Sequence, residues 1–205
     1  ALYAAAIQVD RDKRHDCRYI DMAAVRRNIL KIAKLLPNNR LIDHLKACAL
    51  EYGCPNAQNF FLSRYEAPLP VSPSCNASCL GCISFQKGKS CPVSQPRIRF
   101  VPTDEEVREI ALFHLENVRQ PIVSFGQGCE GEPLIQDKLV ARAIALVRKE
   151  TSKGTIHMNT NGSRPVALAR LLDAGLDSVR ISLNSAREDY YRRYYKPRGY
   201  AFGDV

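Results

Sequence analysis

The chain has 205 residues, 45% hydrophobic and 25% charged, and carries a net charge of +9 from 30 Lys plus Arg against 21 Asp plus Glu. This is the composition of a globular protein with one main core; no apolar run approaches the roughly 20 residues of a membrane span and no charged-then-apolar leader opens the chain, so a cytoplasmic protein with no membrane association is expected. The positive balance admits nucleic acid, anionic cofactors or acidic substrates without choosing among them, while eight cysteines in a reducing compartment point to metal binding or catalysis rather than to a disulfide framework.

Residues 1–66 read as a helical lead-in. Ala1 to Ile7 is a short apolar run and Asp10 to Arg14 a charged turn; Met22–Leu36 and Leu41–Tyr52 then place apolar residues at helical spacing. From residue 67 the pattern changes. Ala67-Pro68-Leu69-Pro70-Val71-Ser72-Pro73 is extended, and its prolines cannot donate to a ladder, which favours an edge strand. Thr103-Asp104-Glu105-Glu106 is a capping box that opens a helix running to Val118. There follow a strand at Pro121–Phe125, a glycine-rich loop at Gly126–Pro133 (GQGCEGEP) and a helix over Leu139–Val147. A strand at Thr155–Asn159, a helix from Pro165 to Ala174 closed by Gly175, a strand at Asp177–Asn184 and a final helical stretch complete the order. Strands alternating with helices imply βαβ units. The fold expected over residues 67–205 is α/β, a parallel sheet with right-handed crossovers curved into a partial barrel. The chain opens on Ala1 rather than Met and stops at Phe202-Gly203-Asp204-Val205 with no closing element, which reads as a piece of a longer protein.

The last two strands carry a polar face. Val179, Ile181 and Leu183 alternate with Arg180, Ser182 and Asn184, and Ile156 and Met158 alternate with His157 and Asn159. A strand buried on both faces is apolar throughout, so helices are expected over the apolar set, with the polar set lining a concave, ligand-holding side.

Cys75-Asn76-Ala77-Ser78-Cys79-Leu80-Gly81-Cys82 puts three cysteines into eight residues with no fourth cysteine or histidine close by. Structural zinc sites take two ligand pairs, and here only Cys79 and Cys82 have pair spacing. A cubane cluster has four irons, so three protein thiolates leave one iron with open positions, as a substrate-binding cluster requires.

At this point the residues resemble the radical S-adenosylmethionine superfamily. The C-x3-C-x2-C triplet follows the first strand, Gly131-Glu132-Pro133 follows the second where the family binds the methionyl group, and Ser182-Leu183-Asn184 resembles its ribose-contacting strand. The resemblance covers roughly residues 67–200. Two positions depart from the family pattern: Gly81 precedes the third cysteine where an aromatic is common, and Glu130 precedes the GEP where glycine is common. The resemblance implies a [4Fe-4S] cluster on Cys75, Cys79 and Cys82. It also implies S-adenosylmethionine chelating the open iron, with Gly131, Glu132 and Pro133 at its methionyl end and Ser182 and Asn184 at its ribose. The implied reaction is reductive cleavage to a 5′-deoxyadenosyl radical that abstracts hydrogen from a substrate, a small molecule, peptide or RNA, with a flavodoxin or ferredoxin as one-electron donor.

Each feature has a plainer reading. The cysteines could be separate buried thiols or a zinc site, Glu132 a carboxylate favoured by a helix dipole, and Ser182 and Asn184 a strand-end turn. Cys129, in the glycine-rich loop near the implied cofactor, is a candidate radical or thiol participant but, like Cys91, reads more plainly as a small buried residue; Cys17, Cys48 and Cys54 lack ligand spacing and read as core thiols. His157 is a candidate contact to cofactor or substrate, and His114 a core histidine. Tyr190 to Tyr200 interleaves aromatics with cations, as a single-stranded nucleic-acid surface would, or as an amphipathic helix packing its tyrosines, or with one arginine reaching the carboxylate of the cofactor that the resemblance implies. The competing function is therefore a non-enzymatic iron-sulfur or zinc module that holds RNA through this stretch.

Overall fold

The computed structural model describes residues 4–7, 11–13, 16–86, 88 and 92–205; Cys91 and parts of the segments at 1–7 and 10–14 lie outside the described residues. Among the described residues three α-helices precede the sheet: α1 (Met22–Leu35), α2 (Arg40–Leu50) and α3 (Pro55–Phe61). Asp21 caps α1 by accepting from the backbone N–H groups of Ala23 and Ala24, and Asn39 caps α2 through Leu41. Helix α3 was not visible in the sequence, because Ala57, Gln58, Asn59, Phe60 and Phe61 are all buried and leave no polar face to mark a period.

The sheet has four strands, β1 (Glu66–Pro68), β2 (Ile122–Phe125), β3 (Thr155–Thr160) and β4 (Ser178–Ile181), all parallel and in chain order. The crossovers are α4 (Asp104–Asn117), α5 (Asp137–Glu150) and α6 (Pro165–Asp173), and α7 (Glu188–Tyr195) follows β4. Strands added in sequence order with a helix between each pair are the start of a singly wound barrel, as the alternation implied. Strand β1 is an edge strand of three residues, since Pro68 and Pro70 cannot extend the ladder. The capping box at Thr103 forms as expected, with Thr103 Oγ1 accepting from the Glu106 N–H at 3.1 Å and Glu106 Oε2 from the Thr103 N–H at 2.8 Å.

One continuous core joins the lead-in helices to the sheet: Val25, Leu41, Leu45 and Phe60 belong to the same packed cluster as Val123, Phe125, Ile156 and Met158. The sequence division at 66/67 falls inside β1. Arg40 strengthens the join by forking onto Glu106, at 2.7 and 2.6 Å, from the N-terminus of α2 to that of α4. Its hydrogen bonds hold the Glu106 carboxyl down at about 2, against the opposing effect of burial. Among the described residues no helix is long and apolar enough to cross a membrane.

The apolar face of β4 departs from expectation. Val179 packs against the core, but Ile181 is 37% and Leu183 50% exposed. The strand lies at the open side of the sheet, and α7 is drawn to the cysteine loop instead of covering these two side chains.

Candidate metal and cofactor cleft

The loop after β1 carries Cys75, Cys79 and Cys82 to the C-terminal ends of the strands. It is held from three sides. The first is the glycine-rich loop after β2, where the N–H of Gly131 donates to Ser72 O at 2.6 Å and that of Glu132 to Ser74 O at 2.8 Å. A Cβ on Gly131 would lie 1.9 Å from Ser74 O, so only glycine allows this approach. The second is the turn after β3, where Asn76 accepts from Asn161 Nδ2 at 2.8 Å and donates to Ser163 Oγ at 2.9 Å. The third is α7, whose terminal carbonyls, otherwise orphaned, accept from the loop: Tyr195 O from Ser78 N–H and Tyr194 O from Leu80 N–H, both at 2.9 Å. Arg198 completes this strap through Asn76 O and Cys75 O. Tyr191 and Tyr195 are buried beneath it, whereas Tyr190 is 48% exposed.

A cavity of about 440 Å3 opens between these elements, lined by Cys75, Cys79, Cys82, Arg97, Gly131, Arg180, Ser182 and Tyr194 among others. Gln127 and Arg180 also line an adjoining cavity of about 440 Å3 over the polar strand face, with Glu66, His157 and Asn159. The polar residues of β3 and β4 thus share one cleft, as their alternation suggested. His157 is tied down within it, its Nδ1 3.0 Å from Ser178 Oγ and its Nε2 3.2 Å from Asn159 Oδ1. Ser182 lies on the cleft wall, whereas Asn184 is exposed.

The thiols differ in their electrostatics. Burial and the charges of Cys75 and Cys82 push Cys79 up to about 11, and burial also raises Cys75. Burial would raise Cys82 too, but hydrogen bonds from Ser84 and Arg97 outweigh it and hold this thiol below its usual value. Arg97 Nη2 lies 3.3 Å from Cys82 Sγ and its Nε donates to Ser84 Oγ at 3.0 Å. The sequence reading missed Arg97, which sits in an irregular stretch with no motif. It missed Tyr194 as well: a Cβ on Gly81 would fall 2.5 Å from the Tyr194 hydroxyl, so α7 delivers an aromatic to the place where position 81 lacks one.

Two buried glutamates stand in the glycine-rich loop. Glu130 accepts from the N–H groups of Val71 at 2.9 Å, Ser72 at 3.0 Å and Gly126, bracing the two loops together. Burial pushes it up to about 8 in spite of these three donors. Glu132 accepts from the hydroxyl of Thr160 and from the N–H groups of Asn161 and Leu134, and burial raises it as well. Three of its roughly four acceptor positions are therefore used internally, leaving room for one more donor.

Three thiols around one opening, one of them drawn toward thiolate by a guanidinium, suit a polynuclear cluster. Among the described residues they do not form a group with ligand atoms inside 4.8 Å, the spread a single ion would impose. The hydroxyl of Ser78, between Cys75 and Cys79, is buried without a partner among the described residues, as a donor toward cluster sulfur would be. His114, by contrast, is fully buried 3.4 Å from Tyr65 O and is pushed down to about 4 by burial, a core residue.

This fold and cleft belong to a known class. The model of the radical SAM superfamily matches residues 69–205, and the chain is a member of that superfamily. It is similar to the FeMo cofactor biosynthesis protein NifB of Klebsiella pneumoniae, 26% identical over 128 residues, which are 62% of this chain and 27% of that protein. The chain thus spans about a quarter of the length of this relative.

Proposed function

We propose that this chain is the cluster-bearing part of a radical S-adenosylmethionine enzyme, with Cys75, Cys79 and Cys82 as ligands of a [4Fe-4S] cluster. The observation that supports it best is that the three thiols, Gly131 and Ser182 line the same cavity at the strand ends. When bound, the cluster and S-adenosylmethionine supply one-electron reductive cleavage and, through the 5′-deoxyadenosyl fragment, removal of a hydrogen atom from a substrate. The chain's own residues would hold and orient. Glu132 offers its remaining acceptor position to the cofactor ammonium, fixed in aim by Thr160 and Asn161. The backbone of Gly131 and Pro133 shapes that end of the site, Ser182 presents a hydroxyl to the ribose, and Asn184 would have to turn inward to join it. Arg97 keeps Cys82 in the ligand-ready form. The small-molecule, peptide or RNA substrate would enter over the polar strand face, and a flavodoxin or ferredoxin in the cytoplasm would supply the electron.

The test is anaerobic reconstitution with iron and sulfide, reduction, and chromatography for 5′-deoxyadenosine after S-adenosylmethionine is added. Expected are about four irons and four sulfides per chain and slow product formation without substrate. A chain that gains the cluster but no product, even when extended to its full natural length, would defeat the enzymatic reading.

A further inference from the structure

We propose that His44, Cys48 and Cys129 form a second metal site, taking one tetrahedral divalent ion of the zinc class and clamping α2 to the glycine-rich loop. The side chains come from two distant parts of the chain, yet their ligand atoms all lie within 4.8 Å of one another. His44 and Cys48 are four residues apart on α2 and so share one helix face. Cys129 arrives from the loop between β2 and α5.

The spacing is that of a single ion. Zinc–sulfur and zinc–nitrogen bonds of about 2.3 and 2.0–2.1 Å at a tetrahedral angle place the two ligand atoms about 3.6 Å apart. Cys48 Sγ and His44 Nε2 stand 3.6 Å apart. The set is too tight to span the irons of a cubane, which distinguishes it from Cys75, Cys79 and Cys82. Cys48 and Cys129 are each only 1% exposed, so the sulfurs are shielded, while His44 is half-buried and opens onto a cavity of about 450 Å3. Three protein ligands leave a fourth position, and the cavity gives water or a small anion a way to fill it. Arg97 and Arg99 line that cavity, and Arg40, which also lines it, is engaged by Glu106. Two thiolates neutralise a divalent ion, so these cations face a neutral centre.

Such an ion would act on the cofactor loop through the chain. Cys129 immediately precedes Glu130, and its carbonyl accepts from the Ile98 N–H at 2.8 Å, next to Arg97. Fixing Cys129 to α2 therefore fixes both the turn that carries Glu130 and Glu132 and the strand of chain that carries Arg97. This inference stands whether or not the triplet holds a cluster.

The experiment uses the full chain with Cys75, Cys79 and Cys82 all replaced by Ser, purified anaerobically and titrated with cobalt(II). One cobalt per chain should bind with the intense visible bands of tetrahedral thiolate coordination, and zinc should displace it. His44→Ala and Cys129→Ser in that background should weaken binding by at least about tenfold, since even partners behind a ligand are worth 10–100-fold. His44→Ala alters a half-buried position and is the variant least prone to misfold; circular dichroism checks it. If the triple variant itself does not fold, the wild-type chain is reconstituted with iron and sulfide, then exposed to zinc, and should retain one zinc beyond its cluster iron. No stoichiometric cobalt or zinc, binding indifferent to His44→Ala and Cys129→Ser, or a Cys48–Cys129 disulfide in metal-free protein would each overturn the site.

Discussion

Cys75, Cys79 and Cys82 are neighbours in sequence and are spread around the mouth of a cleft; the His44–Cys48 pair on α2 and the remote Cys129 converge inside 4.8 Å. The first group sits on a loop whose geometry is imposed by backbone hydrogen bonds to the glycine-rich loop and α7 and by side-chain hydrogen bonds from Asn76 to the turn after β3. The second is assembled by packing, as α2 closes on the loop after β2. Proximity along the chain thus announces a site without fixing its size, and proximity in space can create one that no spacing rule announces.

The largest expected effect comes from joining the two loops too tightly. Gly131→Ala would force a Cβ to within 1.9 Å of the Ser74 carbonyl, a backbone atom that cannot swing aside. The glycine-rich loop must then separate from the cysteine loop, at a cost of several kcal/mol, on the order of other large core disruptions. Cluster content per chain should collapse and the melting temperature should fall sharply. If cluster content and melting temperature match the wild type, the two loops are not coupled as the structure draws them.

Next in size is Glu132→Ala, which leaves the Thr160 hydroxyl and the N–H groups of Asn161 and Leu134 without their acceptor. Each buried orphan costs about 1–3 kcal/mol, partly recovered by water entering the cleft. Two losses are therefore expected: lower thermal stability, and weaker S-adenosylmethionine binding by about 1.5–3 kcal/mol, read by equilibrium dialysis on the reconstituted chain. Iron and sulfide should stay at wild-type levels. Binding that survives in a chain of reduced stability would leave Glu132 a purely internal cap, the role its contacts to Leu134, to the end of β3 and to the turn after β3 already show.

Glu130→Gln separates the two glutamates. In the folded chain burial holds the Glu130 proton up to about 8, above its ordinary 4.5. The folded state therefore keeps a proton that the unfolded chain gives up, and its stabilising effect is full below about pH 4.5 and is lost as pH rises toward 8. Glutamine keeps the neutral form at every pH but turns one N–H donor toward the backbone donors of Val71, Ser72 or Gly126. A loss of about 1–3 kcal/mol is expected, with a flatter decline in melting temperature between pH 5 and 8 than in the wild type. An unchanged slope would place the titration elsewhere.

These contacts explain what the sequence could and could not reveal. The triplet, the GEP segment, the capping box at Thr103 and the polar alternation of β3 and β4 depend on short-range spacing, and all were readable. Helix α3 was not, because it is buried on every side and so lacks amphipathic contrast. The outward exposure of Ile181 and Leu183 was not, because alternation tells which residues share a face but not whether a helix arrives to cover it. The His44–Cys48 spacing was present as an i, i+4 pair on a helix, yet its third member lies 81 positions beyond Cys48 and only the packing of α2 against the loop supplies it. Tyr194 standing in for an aromatic at position 81 is the same lesson, since a side chain missing from one segment is delivered by another.

The smallest effect should come from Arg97, the residue that faces both regions. Its guanidinium touches Cys82 Sγ at 3.3 Å and Ser84 Oγ at 3.0 Å, and it also lines the cavity beside His44 and Cys48. Removing it leaves burial less opposed at Cys82, so the thiol should titrate higher and be less nucleophilic at neutral pH. In the metal-free chain, Arg97→Ala should slow alkylation of Cys82 by iodoacetamide at pH 7, and the rate should recover as pH is raised. Alkylation of Cys75 and Cys79, both held up mainly by burial, should change little. Arg97→Lys should recover only part of the rate, because an ammonium keeps the charge but not the fork that engages Ser84 and Cys82 together. Peptide mapping by mass spectrometry resolves the three thiols. Equal slowing at all three would mean that Arg97 shapes the loop rather than the charge on one sulfur, and no slowing at Cys82 would remove it from the site altogether.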